Sequence, residues 1–184
     1  WEHVLFYNVA YDPTLTLPEL RRRTLKIGSA GKIFSLTGWK VGFVCAAPEI
    51  LKVVAKAHQY ITFTTPPNLQ AAVAYGLDKA DDYFIGMRKD FQAAQDRFAA
   101  GLSKLGFNVI PSQATYFLNI DLSKGRFAGM DDVTFAMRLV EEARVASVPV
   151  SAFYAENPIN TVVRFCFAKQ DETLHTALQR LAKL

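Results

Sequence analysis

The chain has 184 residues, 51% of them hydrophobic and 21% charged, with a formal net charge of +4. These proportions lie near the globular average and allow a sizeable core. The basic residues are dispersed apart from Arg21-Arg22-Arg23, which argues against a nucleic-acid stripe, and no apolar run approaches the ~20 residues of a bilayer span.

Leu25 to Gly28 reads as a short strand that delivers Ser29 and Lys32 to a turn. The arginine triplet before it reads as a solvated loop after Pro18. Val41 to Ala46 is an apolar run expected to form a central strand buried on both faces. Pro48 opens a helix with Ile50, Val53, Val54 and Ala57 at helical spacing. Pro66-Pro67 breaks the chain, and Asn68 is expected to cap a helix from Leu69 to about Leu77. Asp81-Asp82 opens a long helix to about Leu105, with Phe84, Met87, Phe91, Ala94, Phe98 and Leu102 on its core stripe and Gly106 ending it.

Beyond it the pattern predicts strands at Phe107–Ile110 and Thr115–Asp121 and a helix over Asp131–Glu142. Strands at Ala146–Val148 and Val162–Phe167 and a final amphipathic helix from about Asp171 follow. The second half mixes strands and helices without strict alternation, which reads as α+β. Cys45 and Cys166 sit in apolar strand-like runs and read as packed thiols, not as a disulfide or metal pair. His3, His58 and His175 have no metal-ligand spacing. No metal is expected. Asp81-Asp82 and Asp131-Asp132 stand at helix starts, where capping and the helix dipole explain them.

One stretch carries chemistry: Gly28-Ser-Ala-Gly-Lys32-Ile-Phe-Ser-Leu-Thr-Gly38-Trp-Lys40-Val-Gly42. Its glycines and small side chains leave room for a bulky group, and two lysines converge on it. An amine nucleophile beside a phosphate clamp is what pyridoxal 5'-phosphate (PLP) chemistry requires. Lys32 would link to the aldehyde, while Ser29 and Lys40 would hold the phosphate by hydrogen bond and by charge. The alternative is a glycine-rich turn between strands with ordinary solvated lysines. Arg164 lies in an alternating strand among apolar residues, so it needs an anion. That anion is either a fixed internal carboxylate or a ligand's carboxylate.

The Ser-Ala-Gly-Lys and Thr-Gly-Trp-Lys elements resemble the cofactor-lysine signature of fold-type I, class I/II aminotransferases, in the branch of kynurenine, glutamine and methionine aminotransferases. Gln59 to Ala74, Pro111 to Phe117, Val148 to Phe153 and Val163 to Ala168 resemble further family segments in family order. The resemblance implies an α/β fold. Residues 1–88 would be the C-terminal portion of a large PLP-binding domain with a mainly parallel sheet, and 89–184 a small α+β domain. It implies transfer of an amino group between an α-amino acid and a 2-oxo acid through a PLP imine on Lys32. Arg164 would clamp the substrate α-carboxylate. Phe63 would belong to a substrate-binding segment that reaches a neighbouring subunit, or be a core aromatic. Several relatives carry Phe-His where this chain has Phe63-Thr64, which weakens any expectation of kynurenine-type specificity. Tyr116 and Phe153 would be pocket walls or simply packed.

Trp1 stands where many relatives have a cofactor-contacting tyrosine, and the start resembles the middle of a family motif. The aspartate that pairs with the cofactor ring nitrogen would lie just before Trp1. The chain is therefore expected to be a C-terminal fragment, inactive alone and prone to association. A cytoplasmic homodimer is expected, without nucleic-acid or membrane partners. Two alternatives share the cofactor: a C–S β-elimination lyase and the effector-binding domain of a transcription regulator.

Overall fold

A computed structural model of the chain describes residues 3–11 and 13–184. It divides into two compact units, Ala10–Phe84 and Trp1–Val9 with Ile85–Leu184. The division falls a few residues before position 88. The first residues of the chain side with the second half through a bridge between Leu5 and Ala114.

In the Ala10–Phe84 unit a short helix α1 (Pro18–Arg21) precedes an antiparallel ribbon of β1 (Leu25–Ser29) and β2 (Gly42–Ala46). The connection holds α2 (Ala30–Ile33) and a 3-10 turn at Thr37–Trp39. Gly28 faces Phe43 across the ribbon, and the Phe43 ring occupies the space that a Cβ at position 28 would need. Three of the motif's glycines thus serve the chain's own packing. A Cβ at Gly42 would meet the Gly28 carbonyl oxygen at 2.8 Å, and one at Gly31 the Thr37 Cα at 3.1 Å.

β2 is not the strand buried on both faces that its apolar run suggests. Only one partner strand flanks it among the described residues, and Val44 and Cys45 are exposed. The reading of Cys45 as a packed thiol fails for the same reason, while Cys166 is half-buried.

Pro48, at the first position of α3 (Pro48–Ile61), and Glu49 suit a helix start. Its apolar stripe forms but buries nothing: no α3 residue is buried. α4 (Pro67–Leu77) begins with Pro66 in the capping position. Asn68 therefore lies inside the first turn and makes no capping bond. Gly76 on α4 admits the Phe34 ring, which would lie 2.8 Å from a Cβ there. The small core is Ala30, Val41 and Val73, with Phe34 and Leu69 against it.

α5 (Asp81–Lys104) runs across the boundary between the units. In the second unit it buries Ala94, Gln95, Phe98 and Leu102, and Gly106 takes the left-handed conformation (φ +84°) just beyond its end. β3 (Val109–Ile110), β4 (Phe117–Asp121), β5 (Val148–Pro149) and β6 (Val162–Cys166) form a sheet in the order β3-β4-β6-β5. α6 (Asp132–Arg138) continues into a π-helical turn at Leu139–Ala143, and α7 (Asp171–Leu181) follows the sheet. β3 and β4 are shorter than their apolar patterns, because the Phe107 N–H donates to the Leu102 carbonyl and the Thr115 N–H to the Val4 carbonyl instead.

Every ladder among the described residues is antiparallel, so the expected parallel strands are not represented among them. Alternation along β4 and β6 sends Leu118, Ile120, Val163 and Phe165 into the core. Phe117, Asn119, Arg164 and Cys166 share the other face.

Candidate active site

Ser29 closes β1, and Lys32 lies on the single turn of α2 that follows. The Ala30 N–H donates to the Val41 carbonyl at 3.1 Å, and Ser29 pairs with Gly42. These backbone contacts bring the Lys40–Gly42 segment back beside the Ser29–Lys32 segment. Lys40 itself takes the left-handed conformation (φ +55°) at the end of the 3-10 turn. One end of the ribbon therefore carries a hydroxyl and two amines. All three side chains are exposed and make no hydrogen bond or ion pair with another described residue.

The donor set fits PLP. Two amines and a hydroxyl suit an aldehyde and a phosphate, and the tight backbone around Gly28, Gly31 and Gly42 fixes the end of the ribbon that bears them.

Phe63 lies just beyond α3 with φ +64° and is 78% exposed. The core-aromatic reading of this residue is therefore wrong. A left-handed conformation is strained for a bulky side chain. Trp1 lies outside the described residues.

In the second unit, Arg164 sits at the middle of β6, opposite Asn119 on β4 and Val148 on β5. Its guanidinium carbon lies 4.0 Å from the Phe117 ring centroid and 4.5 Å from that of Phe153. Two aromatic rings thus cover the cation, in place of the internal carboxylate that is one of the two readings of its sequence context. No described acidic residue pairs with Arg164. Its Nε is buried without a partner, as is the Oδ1 of Asn119. Of the aromatic residues expected as pocket walls, Phe153 stacks on this guanidinium. Tyr116 packs on the core beside Phe91 and Phe117.

Two residues near Arg164 escaped sequence reasoning. Phe117 and Asn119 share its face by simple strand alternation, a signal present in the sequence. The reading of Asp132, together with Asp131, as a carboxylate explained by the helix start is corrected: only Asp131 caps the helix. Asp131 accepts from the Thr134 N–H at 2.9 Å. Asp132 is fully buried and accepts from Ser151 instead.

Among the described residues no His, Cys, Asp or Glu cluster could hold a metal ion, and no helix is long and apolar enough to cross a membrane.

Residues 6–181 match the family model for aminotransferase class I and II, and the chain belongs to that family. It is 38% identical to the probable N-succinyldiaminopimelate aminotransferase DapC of Mycobacterium tuberculosis, over all of this chain and 48% of that protein. To the methionine aminotransferase of Escherichia coli K12 it is 33% identical, over all of this chain and 47% of the relative.

Among solved structures, N-succinyldiaminopimelate aminotransferase from Mycobacterium tuberculosis superposes with a TM-score of 0.91 at 39% identity, covering 100% of this chain and 47% of that one. YbdL from Escherichia coli gives 0.92 at 33% identity, covering 100% and 48%. The fold is that of fold-type I aminotransferases, and the chain spans about half the length of the curated relatives it matches.

Proposed function

We propose that these residues serve an aminotransferase that exchanges the amino group of an α-amino acid with the oxo group of a 2-oxo acid. Family membership supports the reading, as do the relatives named above, which are aminotransferases. On this reading residues 1–88 are the C-terminal portion of the large domain and 89–184 the small domain.

Lys32 would hold PLP covalently, and Ser29 and Lys40 would hold its phosphate. When bound, PLP supplies an electron sink for bond breaking at the substrate Cα. The Lys32 amine, freed when an incoming amino acid displaces it, would on its flexible stem carry the proton between substrate Cα and the cofactor's aldehyde carbon. Arg164 would receive the α-carboxylate, which both substrates of a transaminase share. The observation that carries the reading is Arg164 itself. It is a guanidinium held between two rings, with a buried Nε that has no acceptor and no described carboxylate paired to it.

Phe63, exposed just beyond α3, would serve the substrate site, and Tyr60, Ile61 and Tyr75 are exposed nearby in sequence. Exposed apolar residues of this kind support assembly as a homodimer.

Borohydride reduction in the presence of PLP followed by peptide mapping tests the cofactor assignment. The pyridoxyl mass is expected on the Lys32 peptide and is lost in Lys32→Ala. Equal labelling of that variant, or labelling centred elsewhere, overturns it.

A further inference from the structure

We propose that Asp132 is a positioning residue for Arg164, acting through Ser151 and Phe153; this rests on the reading of Arg164 as the carboxylate clamp. Asp132 opens α6 and is fully buried. A carboxylate removed from water needs donors. No described lysine or arginine pairs with it. Both of its oxygens serve Ser151: Oδ2 accepts from the Ser151 N–H at 2.7 Å and Oδ1 from the Ser151 hydroxyl at 2.9 Å. The backbone N–H of Asp132 donates to the Asn160 carbonyl at 2.7 Å.

These bonds join two segments that meet at the guanidinium. Ser151 lies in the 3-10 turn Val150–Phe153, which the Tyr154 N–H closes on the Ser151 carbonyl at 3.1 Å. The turn ends at Phe153, whose ring covers Arg164. Asn160 leads into β6, which carries Arg164.

Phe153 is 59% exposed, so no hydrophobic core fixes it. Its place depends on the backbone of the turn, and the turn is tied down by Ser151. Asp132 is not needed to start α6, because Asp131 caps the helix. A carboxylate also suits the task better than a carboxamide. Ser151 presents two donors, and an Asn side chain would set an N–H group against one of them.

With Phe117 and Phe153 covering the guanidinium, its edge is left for a bidentate carboxylate. Freeing Phe153 would let the fork turn. Binding of carboxylates would weaken and KM would rise more than kcat falls.

The test uses the full-length enzyme and 3-phenylpropionate, a carboxylate with no amino or oxo group, titrated by calorimetry. Ser151→Ala and Phe153→Ala are each expected to weaken binding about three- to fivefold, the scale of a solvent-exposed cation–π contact. The double variant is expected to bind no more weakly than Phe153→Ala alone, and Ser151→Thr to restore binding. Additive losses, or unchanged binding in Ser151→Ala, overturn the proposal while Arg164→Ala still abolishes binding. If Arg164→Ala binds the probe normally, the clamp reading fails first and this inference falls with it. Asp132→Asn is expected to behave as Ser151→Ala; if it does not fold, Ser151→Ala still decides the question.

Discussion

The two units differ in how much of their apolar surface they bury. The C-terminal unit closes a core in which Phe6, Phe135, Phe167, Leu102, Leu118 and Leu181 are almost fully buried. The Ala10–Phe84 unit has a core of Ala30, Val41 and Val73, while its Ile27, Val53, Tyr60, Ile61 and Phe63 are largely exposed. The residues proposed to hold the cofactor lie on the thinly packed unit. The arginine proposed to hold substrate lies on a sheet backed by the dense one. The difference teaches that the proposed substrate clamp is built into a finished core, whereas the proposed cofactor end of the ribbon is set by backbone pairing and close glycine contacts.

The strongest way to break this contrast is to open a cavity in each unit. Phe135 is fully buried and packs against Phe107 and Phe127, with ring centroids 6.3 and 4.8 Å away. Phe135→Ala is expected to cost about 3–5 kcal/mol in chemical denaturation followed by circular dichroism. Phe34→Ala removes a half-buried ring from the smaller core and is expected to cost about 1–2 kcal/mol. Equal losses would mean that the two units share one cooperative core.

Hydrogen exchange sharpens the same comparison. Amides of β4, β6 and the Ala94–Leu102 stretch of α5 should exchange slowest, and those of β1, β2 and α3 faster by orders of magnitude. Uniform protection would contradict the contrast.

A smaller effect tests the ribbon itself. The Phe43 ring fills the space over Gly28, so Gly28→Ala must push it aside at a cost of about 1–3 kcal/mol. A double variant Gly28→Ala with Phe43→Ala should recover part of that loss. No recovery would show that the strain lies in the backbone.

The sequence was most legible where one periodicity had one consequence. The long helix with Gly106 at its end, the alternation around Arg164 and the lysine-bearing turn after a strand could all be read directly. Burial was not legible in the first unit. The runs at Val41–Ala46 and along α3 look like core segments, yet burial depends on what packs over a segment, and apolar residues carry no record of that. Glycines misled in a related way. Those of the lysine segment suggested space for a ligand, and three of them are taken up by Phe43, Thr37 and backbone carbonyl contacts. Adjacent identical residues hid the rest. Of Asp131 and Asp132, one caps the helix in water and the other is buried on Ser151, and only three-dimensional packing separates them.

The smallest expected effects are electrostatic, and they concern the second unit. The Tyr7 hydroxyl donates to Asp96, and the Tyr7 backbone N–H donates to the Gln92 side chain at 2.9 Å. The hydrogen bond to Asp96, then burial, then the charge of that carboxylate push the Tyr7 pKa up to about 12 from its usual 10.0. A pKa raised on folding means that the native state keeps its proton longer than the unfolded chain. The resulting stability is complete below pH 10 and is lost as pH rises through 12. Tyr7 is about half exposed, so solvent screening keeps the effect small. Tyr7→Phe should flatten the fall in thermal midpoint over this range, and tyrosinate absorbance should show one late-titrating phenol that the variant lacks. At the acid end the sign reverses. Hydrogen bonds from Thr134 hold Asp131 below the usual carboxylate range, so its contribution is present above the ordinary value and fades as pH falls through the lowered one. Asp131→Asn should therefore lower the midpoint at neutral pH and converge with the parent in acid. A constant offset at all pH values would assign the effect to the cap's shape and not to its charge.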